Sequence, residues 1–97
     1  MAVKVASEEQ VQQFLQQSPG WQRVHGKLHR EYRFADFAGA FAFMARVALV
    51  AEKTDHHPEW CNVYNRVTVD LVTHEVGGIS ERDFALAQTM DAFSGTG

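Results

Sequence analysis

Cysteine is almost missing from this chain of 97 residues: Cys61 is the only one. One cysteine cannot close a disulfide within the chain, so no disulfide scaffold is expected, and a reducing, cytoplasmic setting is. Proline is nearly as scarce, with two residues, both at breaks: Ser18-Pro19-Gly20 and His57-Pro58. There is no excess of positive charge, since nine Lys and Arg stand against twelve Asp and Glu, a formal net charge of -3. That balance, with a pI near 5.9, points away from a general nucleic-acid binder and from an anionic membrane. No uninterrupted apolar run approaches the ~18 residues of a transmembrane span. Met1 to Gln10 has no apolar core of the signal-peptide kind, so secretion is not expected. Internal repeats, low-complexity tracts and a nucleophile elbow are also missing. So is a phosphate loop, because Gly77-Gly78 has neither the spacing nor the lysine for one.

What is present is an ordinary globular composition, 45% hydrophobic and 22% charged, expected to form one domain over residues 1–97. A domain of this size buries only roughly 60–68% of the surface its unfolded chain exposes, so self-association is a ready way to bury more. The unusual feature is five histidines, at positions 25, 29, 56, 57 and 74.

Ser7, with Gln10 three residues on, forms a capping box, and Val11, Phe14 and Leu15 follow at helical spacing, so residues 8–17 read as an amphipathic helix. Trp21–His25 and Leu28–Phe34 read as strands around a Gly26-Lys27 turn, with Leu28, Arg30, Tyr32 and Phe34 on one face and His29, Glu31 and Arg33 on the other. Asp36 caps a helix over residues 37–53. After a Thr54–Glu59 loop, Trp60–Tyr64 and Val67–Thr73 read as a second hairpin around Asn65-Arg66. Val67, Val69 and Leu71 then point inward. Ser80 caps the last helix, with Asp83 closing its capping box and Ile79 and Phe84 as a hydrophobic staple. That helix runs to about Phe93, and Ser94 to Gly97 read as a frayed tail. The order α-β-β-α-β-β-α implies an α+β fold: a four-stranded antiparallel sheet with helices packed on one face.

The helix at 37–53 is apolar nearly all round. From Phe37 to Ala51 only Gly39 and Arg46 depart from that character, and such a helix must be covered on most of its circumference. The reading assigns Phe37, Phe41, Met44 and Ala48 to the sheet, and Ala40, Phe43, Val47 and Val50 to a subunit interface. Coverage by the terminal helices is the alternative.

His56 and His57 stand in a charged loop, and His74 closes the last strand. Neighbouring histidines in extended backbone point in opposite directions and seldom share a metal, and the spacings match no zinc motif. A three-histidine metal site is thus the weaker reading, and an incidental surface role stands against any one histidine. Imidazole titrates near ~6.5 and exchanges protons at neutral pH. Glu52, Asp55 and Asp83 are the carboxylates available to orient it. A metal-free proton-transfer site follows from the residues alone.

Longer motifs sharpen this. Glu52-Lys53-Thr54-Asp55-His56-His57-Pro58-Glu59-Trp60 is followed by Asn62-Val63-Tyr64-Asn65, Thr73-His74-Glu75 and Gly78-Ile79-Ser80-Glu81-Arg82-Asp83. This series, with Phe41–Leu49 upstream, closely resembles the pterin-4a-carbinolamine dehydratase family over about residues 20–93. The N-terminal helix matches only in type. The resemblance implies dehydration of 4a-hydroxytetrahydropterin to quinonoid dihydropterin, which recycles the cofactor of aromatic amino-acid hydroxylases, without metal or bound cofactor. It implies His56 and His74 as the acid–base pair, His57 chiefly as a pterin-binding residue, and Glu52 and Asp83 as supporting carboxylates. For Asp83 a purely helix-capping role is an equal alternative. Trp60 is a candidate pocket wall or a core residue. The resemblance further implies homodimers that join their sheets, or homotetramers packed through the long helices. Some animal members also serve as dimerisation cofactors of a transcription factor, so a non-catalytic homo-oligomeric binding module is the alternative function.

Overall fold

The computed structural model describes residues 2–95. Helix α1 (Glu8–Gln17) opens with the expected reciprocal cap: Gln10 N–H donates to Ser7 Oγ at 3.1 Å, and Ser7 N–H to Gln10 Oε1 at 2.8 Å. Its apolar side carries Val11 and Phe14 into the core, where Phe14 stacks on Phe84 at 4.8 Å. The segment before α1 is tied down, because Ala6 N–H donates to Ile79 O at 2.7 Å and Val5 bridges Ser80.

Two hairpins build the sheet. Strands β1 (Gln22–Val24) and β2 (Lys27–Arg33) turn one residue earlier than the sequence suggests, at His25 and Gly26. Both have positive φ, 52° and 76°, which suits the right-handed twist of a two-residue hairpin. Strands β3 (Glu59–Val63) and β4 (Arg66–Leu71) likewise turn at Tyr64-Asn65 rather than Asn65-Arg66. Tyr64 takes the left-handed φ of 51°. Asn62 holds that turn by donating from Nδ2 to the carbonyls of Tyr64 and Arg66, at 3.0 and 2.9 Å. Asn65 meanwhile donates to Phe34 O at 3.0 Å.

Helix α2 (Phe37–Thr54) carries the chain between the hairpins, so the strand order is β1-β2-β4-β3 with every neighbour antiparallel. Leu28 faces Leu71, Arg30 faces Val69 and Tyr32 faces Val67 across the central pair. Their shared side, with Trp60 of β3, meets α1, α2 and α3 (Glu81–Ser94), which cover one face of the sheet as expected. Burial of Val67, Val69 and Leu71 contributes about 1.5–3 kcal/mol each. Among the described residues no helix is long and apolar enough to cross a membrane. Of the supposed tail, Ser94 ends α3 and Gly95 caps it in the left-handed region, while residues 96–97 lie outside the described residues.

The two faces of α2 are the reverse of the sequence assignment. Ala40, Phe43, Val47 and Ala51 form the buried stripe, with Phe43 against Tyr32 and Phe34 at ring distances of 4.9 and 5.0 Å. Phe37, Phe41 and Leu49 are exposed, Leu49 at 75%. Small residues at 40 and 51 let the helix approach the sheet closely around Phe43 and Val47. Hydrophobicity could not decide between two apolar sides. Val47 therefore belongs to the subunit's own core, and a charge there disrupts the fold rather than an interface.

One polar group lies at the far end of α3. Asp91 accepts from Trp21 Nε1, Arg30 and the Tyr32 hydroxyl, at 3.1, 2.9 and 2.5 Å. Burial first, then this contact, hold the Tyr32 hydroxyl well above the usual tyrosine range, so it remains a donor. A side chain at Gly20 would put its Cβ 2.3 Å from the Arg30 guanidinium. Any larger residue there would have to displace that guanidinium. Asp91→Ala removes an acceptor on which Trp21, Arg30 and Tyr32 converge, and urea unfolding is expected to show a loss of about 3 kcal/mol. A loss under about 1 kcal/mol would mean that water screens the cluster as it does surface ion pairs.

Candidate active site

Two loops at one end of the sheet carry the candidate residues. The first leaves α2 at Asp55, which takes a left-handed φ of 54° with its N–H on the Ala51 and Glu52 carbonyls. His56 N–H then donates back to Ala51 O at 3.1 Å, so the reversal sends His56 inward. The second loop begins at Thr73, which bridges Gly78, and passes through a 3₁₀ turn at His74–Val76. His74 thus lies on this turn rather than at a strand end. Gly77, with φ of 69°, closes the turn.

Asp83 joins these loops to α3. It is fully buried, and its two oxygens divide their partners. Oδ1 lies 2.6 Å from His56 Nε2, while Oδ2 accepts from Thr73 Oγ1 at 2.8 Å and Ser80 N–H at 2.9 Å. Because the Thr73 proton is engaged with Asp83, Ser80 Oγ donates to Thr73 Oγ1 at 2.6 Å. The capping role and the histidine-supporting role of Asp83 are therefore not alternatives. One carboxylate fills both.

The other two histidines are exposed, and each also meets a carboxylate through Nε2. His57 Nε2 lies 3.2 Å from Glu52 Oε1, and His74 Nε2 lies 3.0 Å from Glu59 Oε2. The second oxygen of Glu59 accepts from Lys27 Nζ at 2.6 Å. Lys27 above all, with His74 adding to it, holds the Glu59 carboxyl below the usual carboxylate range, so it is ionised at neutral pH. In all three rings it is Nε2, not Nδ1, that meets the carboxylate. The histidines on the two loops are thus brought to one region by Asp83 with Thr73 and by Glu59.

A cavity of about 300 Å³ opens beside His56, between Val50 and Thr54 of α2 and Arg82, Ala85, Leu86 and Thr89 of α3. Neither His57, His74 nor Trp60 lines it. Trp60 lies opposite Val69 and packs half-buried against the core. Asp55, a candidate orienting carboxylate, caps α2 and pairs with no histidine among the described residues. Glu59, Thr73 and Lys27 escaped the sequence reading. The first adjoins the histidine-proline motif, but only the register of β3 and β4 shows which side it faces. Among the described residues no group of three or more His, Cys, Asp and Glu is arranged to hold a metal ion.

The chain is similar to known proteins along most of its length. The family model for pterin 4 alpha carbinolamine dehydratase matches residues 4–93. A Solibacter usitatus protein assigned as a pterin-4-alpha-carbinolamine dehydratase is 56% identical over 88 residues, 91% of this chain and 93% of that protein. A Brucella ovis protein with the same assignment is 46% identical over 97 residues, 98% of this chain and 100% of that protein. Among solved structures, the transcriptional coactivator/pterin dehydratase of Brucella melitensis has a TM-score of 0.89 at 46% identity. The match covers 93% of this chain and 98% of that one. A pterin dehydratase-like RuBisCO assembly factor of the alpha-carboxysome has a TM-score of 0.64 at 26% identity, covering 77% and 87%.

Removing the Asp83 side chain takes the shared acceptor from the Ser80 N–H, the Thr73 hydroxyl and His56, all of them buried. Asp83→Ala is therefore expected to lose about 3–5 kcal/mol in chemical denaturation. A variant with wild-type stability would show that the loops hold together without this carboxylate.

Proposed function

The chain belongs to the pterin 4 alpha carbinolamine dehydratase family, and on that premise we propose that it removes water from a 4a-hydroxytetrahydropterin to give the quinonoid dihydropterin. In this reaction the C4a–O bond breaks and a C4a=N5 double bond forms. One proton goes to the departing hydroxyl and one leaves N5, so the ring system is neither oxidised nor reduced. Groups titrating near neutrality serve both transfers. The observation that carries the proposal is the pairing of three imidazoles in one region with three carboxylates, each through Nε2.

In this reading His56 and His74 move the two protons through Nδ1. Asp83 and the burial of His56 fix that ring against rotation, while His57, supported by Glu52, chiefly binds the pterin. A separate two-electron reduction, which this reaction does not supply, then returns the product to the tetrahydropterin pool that aromatic amino-acid hydroxylases draw on, in a cytoplasmic setting.

The same proposal includes self-association. Helix α2 exposes Phe37, Phe41 and Leu49, large apolar side chains of the sort that self-association would cover. Strand β3 is an edge strand with unpaired backbone on its outer side. Homodimers joined at sheet edges, or tetramers packed through α2, would cover these surfaces. A non-catalytic binding module that assists dimerisation of a transcription factor would use the same surfaces. It would show no dehydration above the spontaneous rate.

His56→Ala and His74→Ala are each expected to lower kcat for dehydration by roughly 10²–10⁴-fold. His57→Ala should raise KM more than it lowers kcat. Near-wild-type kcat/KM in all three would overturn the histidine mechanism. For assembly, Leu49→Glu places a charge on the exposed face and should shift light scattering toward smaller species while circular dichroism stays native. A wild type that is monomeric at micromolar concentration would refute self-association.

A further inference from the structure

His56 and His74 are held in quite different ways. The His56 ring is buried and enclosed by the loop, whereas the His74 side chain is 76% exposed on a short 3₁₀ turn. Packing therefore does little to select a rotamer for His74, whose ring meets Glu59 Oε2 through Nε2 at 3.0 Å. Glu59 is itself constrained. It is the first residue of β3, pairs with Asp70 of β4, and shares the outer face of the sheet with Lys27 at the start of β2. Lys27 Nζ lies 2.6 Å from Glu59 Oε1, so the ammonium occupies one oxygen and leaves the other to meet the imidazole.

From this geometry we propose that Glu59, pinned by Lys27, is the positioning residue for His74, and that it aims the His74 ring at the reacting pterin. The inference rests on the dehydratase reading above and adds to it two residues on the face of the sheet away from the helices. A freely rotating imidazole spends only part of its time in the productive orientation. An ångström of misplacement in a catalytic group costs up to ~100-fold in rate. Lys27 acts one step further out: it keeps Glu59 ionised and selects its rotamer. The His25-Gly26 turn, which sets where β2 begins, thereby contributes to a site on the other side of the sheet.

The test compares wild type, Glu59→Ala, Glu59→Gln, Lys27→Met, His74→Ala and the double variant Glu59→Ala/His74→Ala. Thermal unfolding checks that each is folded. Glu59→Ala is expected to lower kcat roughly 10–100-fold with little change in KM. Glu59→Gln, which retains an acceptor, should fall between it and wild type, and Lys27→Met should lose less than Glu59→Ala. In the His74→Ala background the Glu59→Ala change should cost nothing further, because a positioning residue has nothing left to position. NMR scalar couplings of the His74 side chain should report one χ1 rotamer in wild type and averaging in Glu59→Ala, with His56 unchanged. Equal losses from Glu59→Ala in the presence and absence of His74 overturn the assignment. So do His74 couplings that stay fixed without Glu59. A wild type with no dehydration above the spontaneous rate overturns the dehydratase reading and the catalytic part of this inference with it. The couplings still decide the positioning part on their own.

Discussion

A carboxylate without solvent is tolerable only if its charge is matched by donors, and in this protein Asp83 sets that condition. Its three partners come from three different pieces of chain: the Ser80 N–H that opens α3, the Thr73 hydroxyl that begins the second loop, and His56 from the first loop. Meeting the electrostatic demand of one side chain therefore closes the end of the sheet where the candidate chemistry lies. The same bonds satisfy the helix terminus, which would otherwise leave backbone donors without partners. Fold stability and imidazole orientation draw on one set of interactions here, so neither can be altered alone.

Helix α3 is anchored at both ends. Asp83 fastens its first turn to the loops, and Asp91, eight residues on, fastens its last turn to Trp21, Arg30 and Tyr32. Leu86, Ala87 and Met90 between them are buried against the sheet. The apolar stretch supplies the bulk of the burial energy, but apolar contact alone permits sliding and rotation. Two directional clusters fix the register. Helix α2 relies mainly on the fit of Ala40, Phe43, Val47 and Ala51 to the sheet, and its opposite side exposes Phe37, Phe41 and Leu49.

Much of this was legible in the residue order. Ser7 with Gln10, and Ser80 with Asp83, announce their helices because capping is a local interaction completed within four residues. Val67, Val69 and Leu71 announce a half-buried strand for the same reason, since alternation records which side of one strand is wet. The histidine-proline loop and the Thr73-His74 segment announce the family. The hairpin turns were misplaced by one residue, because His25 and Tyr64 adopt left-handed backbone that their residue types do not advertise. In the second turn, it is Asn62 on the flanking strand that bonds the carbonyls on either side of it.

What sequence by itself determined, then, were the features encoded over a few neighbouring positions: element order, caps, the inward side of β4, and the residue types suited to proton exchange. Tertiary structure alone decided which face of α2 is buried, because both faces are apolar and only the shape of the sheet distinguishes them. It alone decided that Asp83 serves the helix cap and His56 at once, across 27 residues of chain. It alone brought Lys27 and Glu59, 32 residues apart, to His74. Such pairings depend on strand register and loop closure, and these are properties of the assembled sheet that no local stretch of residues contains.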